Sequence, residues 1–386
     1  MKKSILKGVL ALTTLGLTMT SCNKFLDENP DHTYVEGNSP YIISRFLTYS
    51  YPLSSMAYLS ELASDNTYED IDQNSYRDRF LDEAFHWEDI TQRDGAGYFD
   101  GPTKIWEQFY YPIAQANEVL ERIKESGNEG ERNLASRGEA LALRAWAHFQ
   151  MANLFCLPYN FDGKGSETNL GIPYIAERVT TLLPDYPRGT LKETYEKVEK
   201  DLLDAIPLLE KYSPYSEEVK RFHFTADAAY AFATRFYLYY NKPDKAKEYA
   251  DKLLGSDAKA RLRDWAGTFA SINAENVNAK ALAYSSLADP ANLLVVSLSS
   301  SYQGLTTSGE TFAYSRYTHQ NRTADEETLW ANIWNKGGGH DEYNFSPYIF
   351  NKVYTDKVYQ PKMPILTGDQ TKEVLLTTDE ALLNRA

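Results

Sequence analysis

The fold is decided by the stretch GEALALRAWAHF, which runs from Gly138 to Phe149. In the longer segment from Asn133 to Phe155, apolar and aromatic side chains recur three or four residues apart, the period of an amphipathic α-helix. These positions are Leu141, Ala145, His148, Phe149, Ala152 and Phe155. Small side chains beside them, such as Ala140 and Ala142, let a neighbouring helix approach closely. The stretch therefore predicts a helix that is packed among other helices.

Helical periodicity continues on both sides of this stretch. We expect further helices at Ile105 to Ser126, Thr190 to Tyr212, Thr225 to Tyr240 and Pro243 to Leu254. Thr225 suits a helix start and Pro243 suits a first-turn position. A helix is also expected from Ser39 to Leu62, in spite of Pro52.

The helical segments resemble one another in sequence. EALALRA at 139–145 matches EALLNRA at 380–386 in five of seven places, and FTADAA at 224–229 echoes LTTDEA at 376–381. Recurring helix pairs with alanines at close contacts are typical of tetratricopeptide-like repeats. The alternative is an ordinary helical bundle with chance similarity. Both predict a mainly α protein. The repeat interpretation, which we favour, places helical repeats at about 105–155, 190–254 and from 377.

Two stretches lack helical periodicity and are predicted to be irregular, at about 65–101 and 255–370. The second contains short β-like runs such as LLVVSL at 293–298. Long loops in compact domains are usually functional or disordered, and the aromatic content here argues against disorder.

The N-terminus is typical of a lipoprotein leader. Three lysines precede an apolar run of about 12 residues (8–19), too short for a membrane span of roughly 20. Met19-Thr-Ser-Cys22 follows as a lipobox. We therefore expect a signal peptide at 1–21, lipid on Cys22, a tether at 22–38 and one domain at 39–386. A plain secretory signal is the alternative, but it leaves Cys22 unexplained.

The composition excludes some partners. Without residues 1–21 the chain has 37 basic and 54 acidic side chains, a net charge of −17. Such a surface repels phosphate backbones and anionic membrane faces, so no nucleic-acid partner is expected. With Cys22 lipidated, Cys156 has no partner for a disulfide. The 29 tyrosines are a notable excess, and their flat, polar-tipped rings suit wet ligand surfaces.

No strong catalytic or metal motif is present. Cys156 and His148 lie on helical faces and are expected to be core residues. His340-Asp341-Glu342 could ligate a metal, but a solvated turn is the favoured interpretation. Calcium at Asp70 to Asn74 is a minor alternative, because the rest of an EF-hand loop is missing. We expect no enzyme activity and no cofactor.

Several strings resemble the SusD/RagB family of outer-membrane nutrient-binding lipoproteins of Bacteroidetes, in the right order over essentially the whole chain. The strongest is Gly138 to Phe149. The others are CNKFLD (22–27), ELASDN (61–66), WEQFYYPI with AN (106–117), GIPY (171–174), 195–206, 224–239 and TTDEAL (377–382).

This resemblance implies a non-enzymatic protein with tetratricopeptide-like helix pairs on one side and a loop-built ligand surface on the other. It implies capture of oligosaccharides for a TonB-dependent SusC-like outer-membrane transporter, with peptides as ligands of some members. Family members continue past the EALLNRA string, whereas this chain stops at Ala386, inside the first turns of a helix. We therefore expect a fragment or a truncated product.

A sugar surface needs flat aromatic platforms and polar side chains that bond hydroxyls. Aromatic residues in the irregular segments are the candidates, with Trp87 foremost, whereas Trp106 and Trp146 are expected to be packing residues. The candidate ligand residues are Asp65, Asn66, Tyr68, Trp87, Tyr98, Tyr302, Tyr317, Trp330 and Trp334. For any single ring, a packing role in the hydrophobic side of the scaffold remains the simpler explanation.

Three other functions remain open at this point. The first is peptide binding on the same fold, the second is an interaction scaffold for envelope proteins, and the third is an exported hydrolase.

Overall fold

The structure is a computed structural model. It describes residues 37–64, 67–69, 79–91, 100–161, 163, 166–180, 185–269, 271–272, 277–298, 300, 312–314, 354–356 and 370–386. The leader, the lipobox and the tether up to residue 36 lie outside these residues.

The described part is mainly helical. Its helices are α1 Pro40–Thr48, α2 Ala57–Leu62, α3 Arg79–Phe85, α4 Pro102–Ser126, α5 Glu131–Phe155, α6 Leu191–Lys211, α7 Ala226–Tyr239, α8 Pro243–Leu254, α9 Val277–Tyr284 and α10 Thr378–Arg385. Helices α4 to α8 match the predicted segments to within a few residues.

Helix α5 lies at the centre of the assembly. It packs against α4 on one side and α6 on the other, and α1 rests on both α4 and α5. Because α5 has neighbouring helices on two sides, more than its predicted apolar face is buried. Leu143, Trp146 and Met151, which lie outside that face, are also fully buried. The alanines of the fold-deciding stretch lie at these contacts, as expected from their size.

Threonine caps fix the starts of three helices. The hydroxyl oxygens of Thr190, Thr225 and Thr377 accept hydrogen bonds from backbone N–H groups three residues ahead, at 3.1, 3.3 and 3.1 Å. Each cap satisfies a donor that the first helical turn leaves free. The cap at Thr377 confirms the predicted helix start, and its equivalence to Thr225 agrees with the repeated sequence.

Helices α7, α8 and α10 pack against one another, although α9 and several strands lie between α8 and α10 in the chain. Arg235 of α7 donates to Glu380 of α10 at 2.5 Å and to the carbonyl of Leu375 at 2.7 Å. The helices therefore pack side by side in pairs, as the tetratricopeptide-like prediction requires.

The predicted helix from Ser39 to Leu62 is wrong, because the segment forms two helices with a break between them. Pro52 lies in that break and has no N–H for a helical hydrogen bond. Side chains from α4 and α5 hold the break instead. Gln108 Oε1 accepts from Leu53 N at 3.2 Å, and Tyr51 donates its hydroxyl to Glu139 at 2.8 Å.

The strands form two small antiparallel sheets. Their bounds are β1 Thr67–Glu69, β2 Asn292–Leu298, β3 Phe312–Tyr314, β4 Tyr354–Asp356 and β5 Gln370–Thr377. One sheet has the order β2-β5-β4 and the other pairs β1 with β3. Strand β2 contains the predicted β-like run.

The expectation that 65–101 and 255–370 are irregular is wrong in part, because α3 lies in the first stretch and α9 lies in the second. Each helix is too short to produce a clear period in the sequence. Among the described residues, no helix combines the length and the apolar character needed to cross a bilayer.

Candidate functional site

The clearest candidate is the turn 86–91, which follows α3. Trp87 lies in this turn with 80% of its surface exposed, although tryptophan is usually well covered. Its φ is +59°, in the left-handed region. That conformation costs a bulky residue about 1 to 3 kcal/mol and persists only where the surroundings impose it. Exposed aromatic surface and backbone strain therefore coincide at one residue.

A buried carboxylate imposes the turn. Glu83 of α3 is buried, and its two oxygens accept from the backbone N–H of Thr91, at 2.6 Å, and from the Thr91 hydroxyl. The backbone N–H of Glu88 also donates to the Glu83 carbonyl, at 2.8 Å. Hydrogen bonds to a charged group are about twice as strong as neutral ones. Glu83 therefore closes the turn and fixes the backbone of Trp87.

Neighbouring apolar side chains anchor both ends of the turn. Phe85 and Ile90 pack against the main hydrophobic core. His86 lies edge-on to Phe85, with ring centroids 5.1 Å apart, and its Nδ1 is 3.0 Å from the Asp82 carbonyl. These contacts hold the turn against the core, whereas the side chain of Trp87 is mostly exposed to solvent.

The two predicted ligand-side segments meet in the structure. Strand β1, from the first segment, pairs with β3, from the second, so that Tyr68 lies opposite Ala313. A second junction forms at Asp100, whose carboxylate accepts from the Ser300 hydroxyl at 3.0 Å and from Ser55 N at 3.3 Å. Sequence reasoning proposed the two segments separately and missed Asp100, because nothing in the local pattern indicates a partner 200 residues away.

An ionisable group on β5 lies close to this second junction. Burial raises the pKa of Glu373 to about 7, with a smaller contribution from the charge of Asp100. The hydrogen bond with Ser55 and the charge of Arg235 act in the opposite direction. The Glu373 carboxyl therefore takes up a proton at a higher pH than an ordinary glutamate does.

Of the predicted ligand residues, the structure describes two. Trp87 is the exposed residue of the turn, and Tyr68 lies in β1. The others fall outside the described residues: Asp65, Asn66, Tyr98, Tyr302, Tyr317, Trp330 and Trp334. The alternative metal positions, at 70–74 and 340–342, also fall outside them. In the described part of the chain, no group of three His, Cys, Asp or Glu side chains converges as a metal site would require.

The residues assigned to packing do pack. Trp146 is fully buried, and Trp106 contacts Tyr110 and Phe155 with ring centroids 5.0 Å apart. Cys156 is half-buried at the end of α5, where burial raises the pKa of its thiol.

His148 is a satisfied core residue, as predicted. Its Nδ1 donates to the Arg144 carbonyl at 2.8 Å, and its Nε2 accepts from Ile175 N at 3.0 Å. This arrangement needs the neutral ring, and burial lowers the pKa of His148 to about 3.

These features define a helical-repeat protein that displays an exposed aromatic side chain on a hydrogen-bonded turn. A family model described as "Starch-binding associating with outer membrane" matches residues 24–238, more than half of the chain. The chain therefore belongs to the SusD-like family, as the resemblance indicated. No curated protein matches the chain.

Solved structures agree on the fold. A SusD superfamily protein from Bacteroides vulgatus ATCC 8482 is 17% identical with a TM-score of 0.58, covering 90% of this chain and 73% of its own. A second protein from that strain, named for sugar binding, is 21% identical with a TM-score of 0.61, covering 91% and 74%. A SusD superfamily protein from Bacteroides thetaiotaomicron VPI-5482 is 17% identical with a TM-score of 0.51, covering 75% and 60%. The predicted fold class, mainly α with tetratricopeptide-like helix pairs, is confirmed.

Proposed function

We propose that this protein binds oligosaccharides without turning them over, and that the indole of Trp87 is a platform for one sugar ring. The observation that carries the proposal is the exposed, strained Trp87 on the turn closed by Glu83. Sugar rings have apolar C–H faces that stack on aromatic rings. A fixed platform binds better than a mobile one, because less conformational freedom is lost on binding.

The family description and the relative named for sugar binding support carbohydrate as the ligand class. The junctions at β1–β3 and at Asp100 support a shared surface. They bring parts of the two aromatic-rich segments together.

We further propose that lipid on Cys22 anchors the protein to the outer membrane, exposed at the cell surface. There it delivers glycans to a SusC-like TonB-dependent transporter. Metabolic labelling with an alkyne fatty acid tests the anchor. We expect label on the wild type and on Cys156→Ala but not on Cys22→Ala, whereas label on Cys22→Ala would contradict it. Purification from solubilised outer membranes tests the partner, and absence of a TonB-dependent transporter from the purified complex would contradict it.

Calorimetric titration tests the ligand class. The chain without its leader is titrated with α- and β-linked gluco-oligosaccharides and with short peptides, and the mixtures are then analysed for cleavage products. We expect saturable binding to one glycan class and unchanged glycan length. Binding to peptides alone, or shortening of the glycan, would contradict the proposal.

A further inference from the structure

A recess lies on the helical scaffold, and its lining shares no residue with the Trp87 turn. It is a groove of about 160 Å³ between the segment after α5 and the first turns of α6. It is lined by Ile172, Pro173, Tyr174, Ile175, Tyr186, Pro187, Gly189, Glu193, Thr194 and Lys197. None of these residues belongs to the turn 86–91 or to the predicted ligand set.

The floor of the groove is rigid. The Tyr174 hydroxyl donates to Asp201 at 2.5 Å, and its ring stacks on His148 with centroids 3.8 Å apart. The two carboxylate oxygens of Asp201 accept hydrogen bonds from Nε and Nη2 of Arg144, at 2.7 Å each. The side chains below the groove therefore form one buried, connected network, which keeps Tyr174 in place.

The backbone that borders the groove is also fixed. Gly171 N donates to the Gly189 carbonyl at 2.8 Å, and Arg188 Nε donates to the Gly171 carbonyl at 2.6 Å. A Cβ on Gly171 would lie 2.1 Å from the Thr194 hydroxyl oxygen and 2.7 Å from the Thr190 carbonyl oxygen. Only glycine permits this close approach, so the strand-like segment is pressed against the start of α6.

The lining combines the chemistry that holds a sugar. Tyr186 offers a ring that is 39% exposed, next to Pro187. Glu193 uses one carboxylate oxygen to accept from Thr190 N at 2.8 Å, which leaves the other able to accept from a ligand hydroxyl. Lys197 Nζ lies 5.7 Å from the Tyr174 ring centroid, and no carboxylate of the described residues pairs with it. An aromatic face, an acceptor and a donor thus border one small space.

From this geometry we infer that the groove is a second carbohydrate contact, which takes a single neutral pyranose ring. Its volume is below the roughly 300 Å³ at which drug-sized sites begin, so a single ring is the natural occupant. The negative charge of Glu193 repels an anionic ligand and the positive charge of Lys197 repels a cationic one. The hydroxyl groups of a neutral sugar can form hydrogen bonds with both side chains. The inference rests on the proposed carbohydrate function but not on the Trp87 platform.

Methyl NMR separates the two sites. Isoleucine methyl groups are ¹³C-labelled in residues 22–386, and methyl α-D-glucopyranoside, the single unit of starch, is titrated in. Ile172 and Ile175 report on the groove, and Ile90 reports on the Trp87 turn. We expect saturable shifts of Ile172 and Ile175 in the wild type, in Trp87→Ala and in the control Tyr41→Ala, whose ring is exposed on α1. In Tyr186→Ala the dissociation constant should rise about tenfold, as expected for loss of a stacking ring worth about 1.4 kcal/mol.

Each outcome decides one site. If Ile90 shifts while Ile172 and Ile175 do not, the groove proposal fails and the Trp87 platform stands. If the groove signals shift and Ile90 does not, the groove stands, and the affinity of Trp87→Ala for oligosaccharides decides the platform. Equal affinity of Tyr186→Ala and wild type at the groove, or no shift of the groove signals, overturns the inference.

Discussion

Two tryptophans show how differently this chain uses the same side chain. Trp146, in α5, is fully buried, with the rings of Phe109 and Phe224 at 5.5 and 6.4 Å. Trp87 is 80% exposed on a turn that a buried glutamate closes. Among the described residues, Trp87 is the most exposed aromatic side chain, ahead of Phe161 at 69%, so its exposure needs a separate reason. Trp146 is therefore a packing residue, whereas a binding role is what we propose for Trp87.

The largest effect is expected for Trp146, the buried tryptophan of the comparison. Replacing Trp146 by Ala leaves a large cavity and should lower the free energy of unfolding by about 3 to 5 kcal/mol. Urea denaturation measures this, with Trp87→Ala as the matched control. The control should stay within about 0.5 kcal/mol of wild type, as surface substitutions usually do. A control as unstable as Trp146→Ala would show that Trp87 is also a packing residue.

A buried ion pair gives the next largest effect. Asp201→Ala leaves the Arg144 guanidinium buried without its carboxylate partner, both side chains being buried in the wild type. Loss of one partner from such a pair costs about 3 kcal/mol or more. Asp204→Ala is the control on the same helix, because its pair with Lys200 is exposed and worth less than about 1 kcal/mol. Equal stability of the two variants would contradict the role assigned to this network.

A pH dependence follows from His148, whose pKa is lowered from 6.5 to about 3. Below pH 6.5 the unfolded chain takes up a proton that the folded chain does not, so stability falls as the pH falls toward 3. The loss approaches 1.4 kcal/mol per pH unit and amounts to about 1.6 kcal/mol between pH 6.5 and 5. His148→Gln keeps one donor and one acceptor and should remove this share of the slope. An unchanged slope in the variant would show that other groups cause it.

The smallest stability effect has the opposite sign and tests the strain at Trp87. Trp87→Gly relieves the left-handed backbone conformation and should raise the free energy of unfolding by about 0.5 to 1 kcal/mol. Trp87→Ala retains a Cβ and should show no such gain. Thermal denaturation compares the two variants. If Gly is no more stable than Ala, the turn does not store strain.

The sequence predicted what local patterns can determine. Thr225 and Pro243 indicated helix starts from their cap and first-turn chemistry, and alanine spacing indicated close helix packing around Leu141 and Ala145. Trp87 was the foremost platform candidate because it lies outside any helical period, and the structure exposes its side chain. Helix α9 was missed because eight residues carry too little periodicity to stand out.

Long-range contacts could not be predicted in this way. Asp100 bonds Ser300, and Glu139 bonds His223 at 2.8 Å across 84 positions. Nothing in the neighbouring residues indicates such partners, because the contacts exist only once the helices have packed. The left-handed conformation of Trp87 could not be predicted either. It depends on the hydrogen bonds of Glu83 to Thr91 and on the packing of Phe85 and Ile90 against the core.

The most direct test of the account is the dissociation constant of Trp87→Ala for the oligosaccharide that binds the wild type best. Trp265→Ala is the matched control, because Trp265 is the other described tryptophan with a large exposed fraction, 45%. We predict that Trp87→Ala weakens binding about tenfold or more, since one stacking ring supplies up to about 1.5 kcal/mol, while Trp265→Ala binds as wild type does. Wild-type affinity in a folded Trp87→Ala protein would contradict the claim that this exposed ring is the platform.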